Sequence, residues 1–119
     1  FAARWPLEIH ALPKRHVPDL AETTLAERDD FAELLPGLLG ALDALYDSPT
    51  PYIAAWHQAP VSERRDEVRL SLQITSPRRA ADKLKFLAGS EAAMGAWIAD
   101  VVPEAQAAAL REAMTKVER

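Results

Sequence analysis

The sequence predicts an α+β fold, in which helices pack on one face of an antiparallel sheet. Two stretches, residues 5–11 and 68–75, alternate apolar and polar residues with the period of a half-buried strand. A third strand-like stretch, residues 52–56, follows a long apolar stripe at helical spacing over residues 31–45. The connection between the last two strands is short, so we expect those strands to pair antiparallel.

Composition favours one domain over residues 1–119, since 119 residues with 49% hydrophobic content can form a single core. The formal net charge of −4 argues against nucleic acid or an anionic membrane as a partner. The absence of cysteine excludes disulfides and thiolate metal sites. No apolar run of bilayer length and no signal-peptide pattern occur, so we expect a cytoplasmic protein. The chain starts at Phe1 rather than at methionine, which suggests a piece of a longer protein.

Local patterns justify the first strand and the first helix. The strand over residues 5–11 exposes Glu8 and His10 and ends before Pro13. Thr24 and Glu27 have the spacing of a capping box, which begins the helix. Residues 36–37 are Pro-Gly inside the apolar stripe, so a kink or a break is expected there.

Similar local patterns predict the strands and helices of the second half of the chain. A proline-rich turn over residues 47–51 leads into the strand 52–56, which places His57 at the strand end. Ser-Pro at residues 76–77 ends the third strand. Residues 83–98 are predicted to be helical around two glycines, and Pro103 suits the first turn of a last helix.

Few residue patterns with a known chemistry are present. The sequence has no Gly-x-Ser-x-Gly elbow, no P-loop and no dinucleotide fingerprint. The three histidines lack metal-ligand spacing, and Glu8 with His10 on one strand face is the nearest local pair. Lys85-Phe86 and Ser90-Glu91 flank Gly89. They fit either a helix with a core phenylalanine or a ligand loop, with Lys85 for phosphate and Glu91 for sugar hydroxyls.

Four words of the sequence, in order, carry a family resemblance: Trp5-Pro6-Leu7-Glu8, Leu12-Pro13-Lys14-Arg15-His16-Val17, Tyr52-Ile53-Ala54-Ala55-Trp56-His57-Gln58-Ala59-Pro60 and Lys85-Phe86-Leu87-Ala88-Gly89-Ser90-Glu91. Together they resemble the C-terminal half of galactose-1-phosphate uridylyltransferase, of the histidine-triad superfamily. The resemblance implies a histidine-triad-like sheet and a role in exchanging uridylyl groups between UDP-glucose (or UDP-galactose) and a hexose 1-phosphate. The family's nucleophile, in a His-Pro-His-x-Gln word, and its zinc ligands lie in the other half, so this chain alone is expected to be inactive.

The resemblance also implies site residues. Glu8 and His57 match two ligands of a second metal site, usually assigned to iron. Arg69 and Ser71 stand where two further histidine ligands are expected, so this second metal is predicted to be absent or weak. Arg69 is expected to form a salt bridge with Glu8 instead.

The ligand segment of the family reaches into the active site of a neighbouring subunit, which implies a homodimer. The matching residues in this chain are Lys85, Phe86, Ala88, Ser90 and Glu91. Two alternatives stay open: a degenerate histidine-triad hydrolase or phosphorylase, and a standalone non-catalytic domain that binds a sugar nucleotide or a partner protein.

Overall fold

The computed structural model describes residues 3–117. The chain forms a main sheet, a small hairpin and three helices. The strands and helices are β1 (Leu7–Ala11), α1 (Leu25–Ala44), β2 (Ile53–His57), β3 (Ser71–Ser76), β4 (Arg78–Ala80), β5 (Lys83–Leu84), α2 (Gly89–Met94) and α3 (Pro103–Val117). No helix in this described part of the chain is both long and apolar enough to cross a membrane.

The main sheet is antiparallel, with β3 between β1 and β2. Gln73 of β3 lies opposite His10 on one side and Ala55 on the other, and His57 lies opposite Ser71. Because side chains alternate between the two faces of a strand, Glu8, His10, His57 and Gln73 share one face. We call this the polar face.

The other face of the sheet carries the core. Leu7, Leu72 and Ile74 are buried there against Leu38 and Leu42 of α1. Helix α3 packs on α1 so closely that a Cβ on Gly40 would lie 2.9 Å from Val117 Cγ1. The expected α+β architecture, an antiparallel sheet with helices on one face, is therefore confirmed.

Helix α1 begins as expected and continues further than expected. The Thr24 hydroxyl accepts from the Glu27 N–H at 3.2 Å, and Glu27 Oε2 accepts from the Thr24 N–H at 2.8 Å. A kink or a break was expected at Pro36; the break does not occur, since the helix runs through this residue to Ala44. Apolar side chains on both sides of Pro36 pack on the same core, which holds the two halves of the helix together.

The prediction of helix over residues 83–98 is largely wrong. Residues 83–84 pair with 78–80 as a hairpin, and only Gly89–Met94 is helical. Gly95 ends this short helix with a positive φ of 65°. The helical pattern failed because two charged residues of the segment, Lys85 and Glu91, are buried and form hydrogen bonds with the backbone of Ile98. We call residues 83–100 the arm.

Candidate functional site

Lys85, at the start of the arm, is enclosed by carboxylates. Its side chain is only 2% exposed, and its Nζ lies 2.6 Å from Glu91 Oε1 and 2.6 Å from Asp100 Oδ2. A third donor reaches the carbonyl of Ile98 at 2.7 Å. All three ammonium hydrogens are therefore used within the chain. We call Lys85, Glu91 and Asp100 the Lys85 cluster.

Glu91 joins the two ends of the arm. Its Oε2 accepts from the Ala88 N–H at 2.8 Å, and its Oε1 accepts from the Ile98 N–H at 3.0 Å. The Lys85 ammonium and these two backbone donors lower the pKa of Glu91 from 4.5 to about 2. Burial alone would lower the pKa of Lys85, but hydrogen bonds from Lys85 to Asp100 and Glu91 outweigh it and raise that pKa. Both groups are thus held in their charged forms.

The five predicted ligand residues divide into two sets. Lys85 and Glu91 are buried and paired with each other, so a ligand that used either charge would have to displace an internal partner. Phe86 is 85% exposed, Ser90 is exposed and Ala88 is half-buried. The structure brings all five together, but gives only the second set a free surface.

Sequence reasoning missed Asp100. It lies 15 positions after Lys85 in a stretch without a motif, and it also faces the Arg79 guanidinium at 3.4 Å. The only available signal was a general one: a buried lysine requires carboxylate partners.

The arm contacts Trp5, just before β1, and leaves apolar side chains exposed. The rings of Trp97 and Trp5 meet edge to face at 5.3 Å, and the Lys85 Nζ lies 5.8 Å from the Trp97 ring centre. Met94 is 81% exposed, close in sequence to the exposed Phe86. The base of the arm is therefore anchored, while its tip carries apolar surface that is available for contact.

A second group of polar side chains lies on the polar face of the sheet. Gln73 Nε2 donates to Glu8 Oε1 at 3.0 Å, and His57 Nε2 lies 3.1 Å from Gln73 Oε1. His10 Nε2 lies 2.8 Å from the same Glu8 oxygen. We call Glu8, His10, His57 and Gln73 the sheet cluster. It connects all three strands of the main sheet.

Glu8 is the common acceptor of the sheet cluster. Its Oε2 accepts from the backbone N–H groups of Arg4 at 2.8 Å and Trp5 at 3.2 Å. Burial by itself raises the pKa of Glu8, but these bonds, with those from His10 and Gln73, outweigh it and lower the pKa. Glu8 is therefore an ionised carboxylate that only accepts hydrogen bonds.

The expected salt bridge between Arg69 and Glu8 is wrong. The Arg69 guanidinium donates instead to the carbonyls of Pro13, Lys14 and Arg15. The Leu70 N–H bonds to Val17 O at 2.6 Å, so β3 begins only at Ser71 and Arg69 precedes the sheet. Ser71 and Gln73, rather than Arg69 and Ser71, are therefore the β3 residues beside His57 and Glu8.

The sheet cluster does not fit the second metal that the resemblance implied. Among residues 3–117, no group of three or more His, Cys, Asp or Glu side chains is placed to hold a metal ion. The amide of Gln73 bonds to both Glu8 and His57, the two candidate ligands. Iron and zinc favour imidazole over an amide oxygen, so the donor set is poor for either metal.

A cavity of about 480 Å³ borders residues of both clusters. It lies between β1, α1 and α3, and the arm closes one side. Its lining includes Glu8 and His10 from the sheet cluster, Asp100 from the Lys85 cluster, and Trp5 and Arg111.

Comparison with known proteins places this domain in a family. The sequence model for the C-terminal domain of galactose-1-phosphate uridyl transferase matches residues 1–119. The galactose-1-phosphate uridylyltransferase of Thermotoga maritima is 39% identical, over 99% of this chain and 37% of its own length. The enzyme of the same name from Rattus norvegicus is 38% identical, over 93% of this chain and 30% of its own length.

Solved structures agree with the sequence comparison. A uridylyltransferase structure superposes with a TM-score of 0.90 at 39% identity, covering 98% of this chain and 37% of that one. A GALT-like protein from Arabidopsis thaliana superposes with a TM-score of 0.79 at 30% identity, covering 94% of this chain and 36% of that one. The chain thus spans less than two fifths of the length of these relatives. It belongs to the galactose-1-phosphate uridylyltransferase family, as the C-terminal domain.

Proposed function

We propose that this chain is the hexose-phosphate-binding part of a cytoplasmic transferase, which moves uridylyl groups between UDP-glucose or UDP-galactose and a hexose 1-phosphate. Family membership supports the reaction class. The observation that carries the proposal is the arm, where exposed Phe86 and Ser90 stand on a frame fixed by buried charges.

The arm residues have different tasks in this proposal. The Phe86 ring packs against the apolar C–H surface of a hexose, and the Ser90 hydroxyl exchanges hydrogen bonds with the sugar. The Lys85 cluster holds one positive and two negative charges, so it does not form an open phosphate site. Lys85 and Glu91 instead fix the backbone of residues 86–90, and contact the ligand only by exchanging internal partners.

The remaining parts of the machinery are assigned outside this chain. His10 and His57 are engaged in the sheet cluster, and the sequence lacks the His-Pro-His-x-Gln word, so the nucleophile and the zinc ligands belong to the rest of the full-length protein. The exposed apolar tip of the arm is suited to a second subunit, and we therefore propose a homodimer whose sites are completed by each other's arms. Nucleic acid and membranes are not partners in this proposal.

A chimera tests the function directly. Residues 1–119 would replace the matching C-terminal 37% of the Thermotoga maritima relative, and uridylyl transfer from UDP-glucose to galactose 1-phosphate would be measured. We expect an active dimer, and we expect Phe86→Ala to lower kcat/KM at least about tenfold through lost hexose packing. The matched control is Val61→Ala, an exposed apolar residue outside the arm.

Two results would contradict the proposal. A folded, dimeric chimera without transfer activity would remove the assigned reaction. Equal activities for the Phe86→Ala and Val61→Ala chimeras would remove the assigned role of the arm. Binding of UDP-glucose by an inactive chimera would instead favour the standalone binding domain.

A further inference from the structure

We propose that Gln73 is a metal-free clamp, whose side-chain amide ties the three strands of the main sheet together and occupies the place of a transition metal between Glu8 and His57. The inference concerns the sheet cluster alone and does not rest on the proposed transferase activity.

The position of Gln73 explains why one side chain can reach both partners. It lies on the central strand, and the residues directly opposite it are His10 on β1 and Ala55 on β2. Glu8 is two residues before His10 and His57 is two residues after Ala55, both on the same face as Gln73. Such diagonal neighbours are within reach of a long side chain. The amide therefore bonds to Glu8 at 3.0 Å and to His57 at 3.1 Å.

The directions of these two bonds are fixed by chemistry. Ionised Glu8 can only accept, so the NH₂ group of Gln73 must face it. The amide oxygen then faces His57 and accepts a hydrogen bond, which requires the hydrogen of the His57 ring to be on Nε2. A chain of matched donors and acceptors results, from His57 through Gln73 to Glu8.

The same chain of bonds opposes metal binding. A metal would need the lone pair of His57 Nε2, which carries a hydrogen here, and the Glu8 oxygen to which Gln73 and His10 already bond. Binding would break these bonds and still offer only one imidazole, one carboxylate and an amide oxygen. Replacing the amide by a third strong ligand would reverse the preference.

The experiment titrates Co²⁺ into wild type and into Gln73→His. Binding is monitored by calorimetry and by the visible absorption of the bound ion. A partner that only orients a metal ligand is already worth about 10- to 100-fold in affinity, so an added ligand should tighten Co²⁺ binding at least about 100-fold. Ala105→His, on the exposed side of α3, is the control for an added histidine elsewhere. We expect the Tm of wild type to be unchanged by EDTA.

Two results of the metal titrations would overturn the proposal. Stoichiometric Co²⁺ or Zn²⁺ bound by wild type, with the His57 resonances shifted, would overturn the proposal, and this measurement needs no variant. A folded Gln73→His protein that binds Co²⁺ no more tightly than Ala105→His would also overturn it.

The hydrogen bond between Gln73 and His57 is tested by determining the tautomer of His57 with ¹⁵N NMR. Wild type should be in the Nε2–H form, and Gln73→Ala should shift the population toward a mixture; a mixture already in wild type contradicts the clamp.

Discussion

The Lys85 cluster and the sheet cluster join distant parts of the same chain in opposite ways. The first uses full charges that are almost removed from water, with Lys85 and Glu91 side chains each 2% exposed. The second relies on a neutral amide between a carboxylate and an imidazole, and its His10 side chain is 52% exposed. One cluster fixes the conformation of the arm, whereas the other reinforces a sheet that backbone hydrogen bonds already hold.

The difference determines what each cluster contributes. An enclosed charge that loses its partner has no water to replace it, so the Lys85 cluster is sensitive to single substitutions. A lost hydrogen bond between Gln73 and exposed His57 can be replaced by water, and Glu8 keeps its bonds from His10 and from two backbone N–H groups. Substitutions in the sheet cluster should therefore change stability little and change ligand binding more. Substitutions of Lys85, Asp100, Glu91 and Gln73 test this contrast.

The largest effect is expected for Lys85→Met, which removes the ammonium between Glu91 and Asp100 and leaves only Arg79 beside Asp100. We expect a loss of about 2–3 kcal/mol in the free energy of unfolding, somewhat below the value for a deeply buried pair because the Asp100 side chain is 16% exposed. The measurement is urea unfolding at neutral pH. Lys83→Met, an exposed lysine two residues earlier, is the matched control and should change stability by less than about 0.5 kcal/mol. Equal losses for the two variants would mean that the cluster is not structural.

Asp100→Asn should have a smaller and more local effect. The amide keeps the size of the side chain but weakens its bonds to Lys85 and Arg79, so about 1 kcal/mol of stability should be lost. Amide hydrogen exchange should become faster in the arm while α1 keeps its protection. Faster exchange throughout the chain would show that the arm is not a separate unit and that Asp100 supports the whole domain.

The stabilities of wild type and of Glu91→Gln should respond differently to acid. Because its folded pKa of about 2 lies below the ordinary 4.5, Glu91 contributes stability that is fully present above pH 4.5 and is lost as the pH falls toward 2. Wild type should therefore exceed Glu91→Gln in unfolding temperature at pH 6, and this advantage should shrink between pH 4.5 and pH 2. An advantage that is constant over this range would show that the carboxylate charge is not what stabilises the arm.

The same contrast explains what the sequence could and could not predict. Period-two alternation and the capping box depend on local chemistry, so β1, β3 and the start of α1 were predictable to within a few residues. The paths of Lys85 and Arg69 were not predictable, because each depends on partners distant in sequence: Asp100 for Lys85, and the carbonyls of residues 13–15 for Arg69. The stretches of sequence that carry the family resemblance include residues of the arm and of the sheet cluster. They carried no information on whether a charged residue faces a ligand or another residue of its own chain.

The smallest effect on stability is expected for Gln73→Ala. Two hydrogen bonds are lost, but His57 is exposed, Glu8 keeps its bonds from His10, Arg4 and Trp5, and the backbone pairing of β3 with β1 and β2 remains. Unfolding should therefore become easier by about 1 kcal/mol or less. The comparison variant is Thr75→Ala, which truncates the next polar-face residue of β3. If Gln73→Ala costs as much as Lys85→Met, the amide is as essential as the enclosed charges, and the contrast between the two clusters fails. If Gln73→Ala and Thr75→Ala are equal in stability and only Gln73→Ala alters the His57 tautomer, the amide acts chiefly on the chemistry of the polar face, and the sheet is held by its backbone.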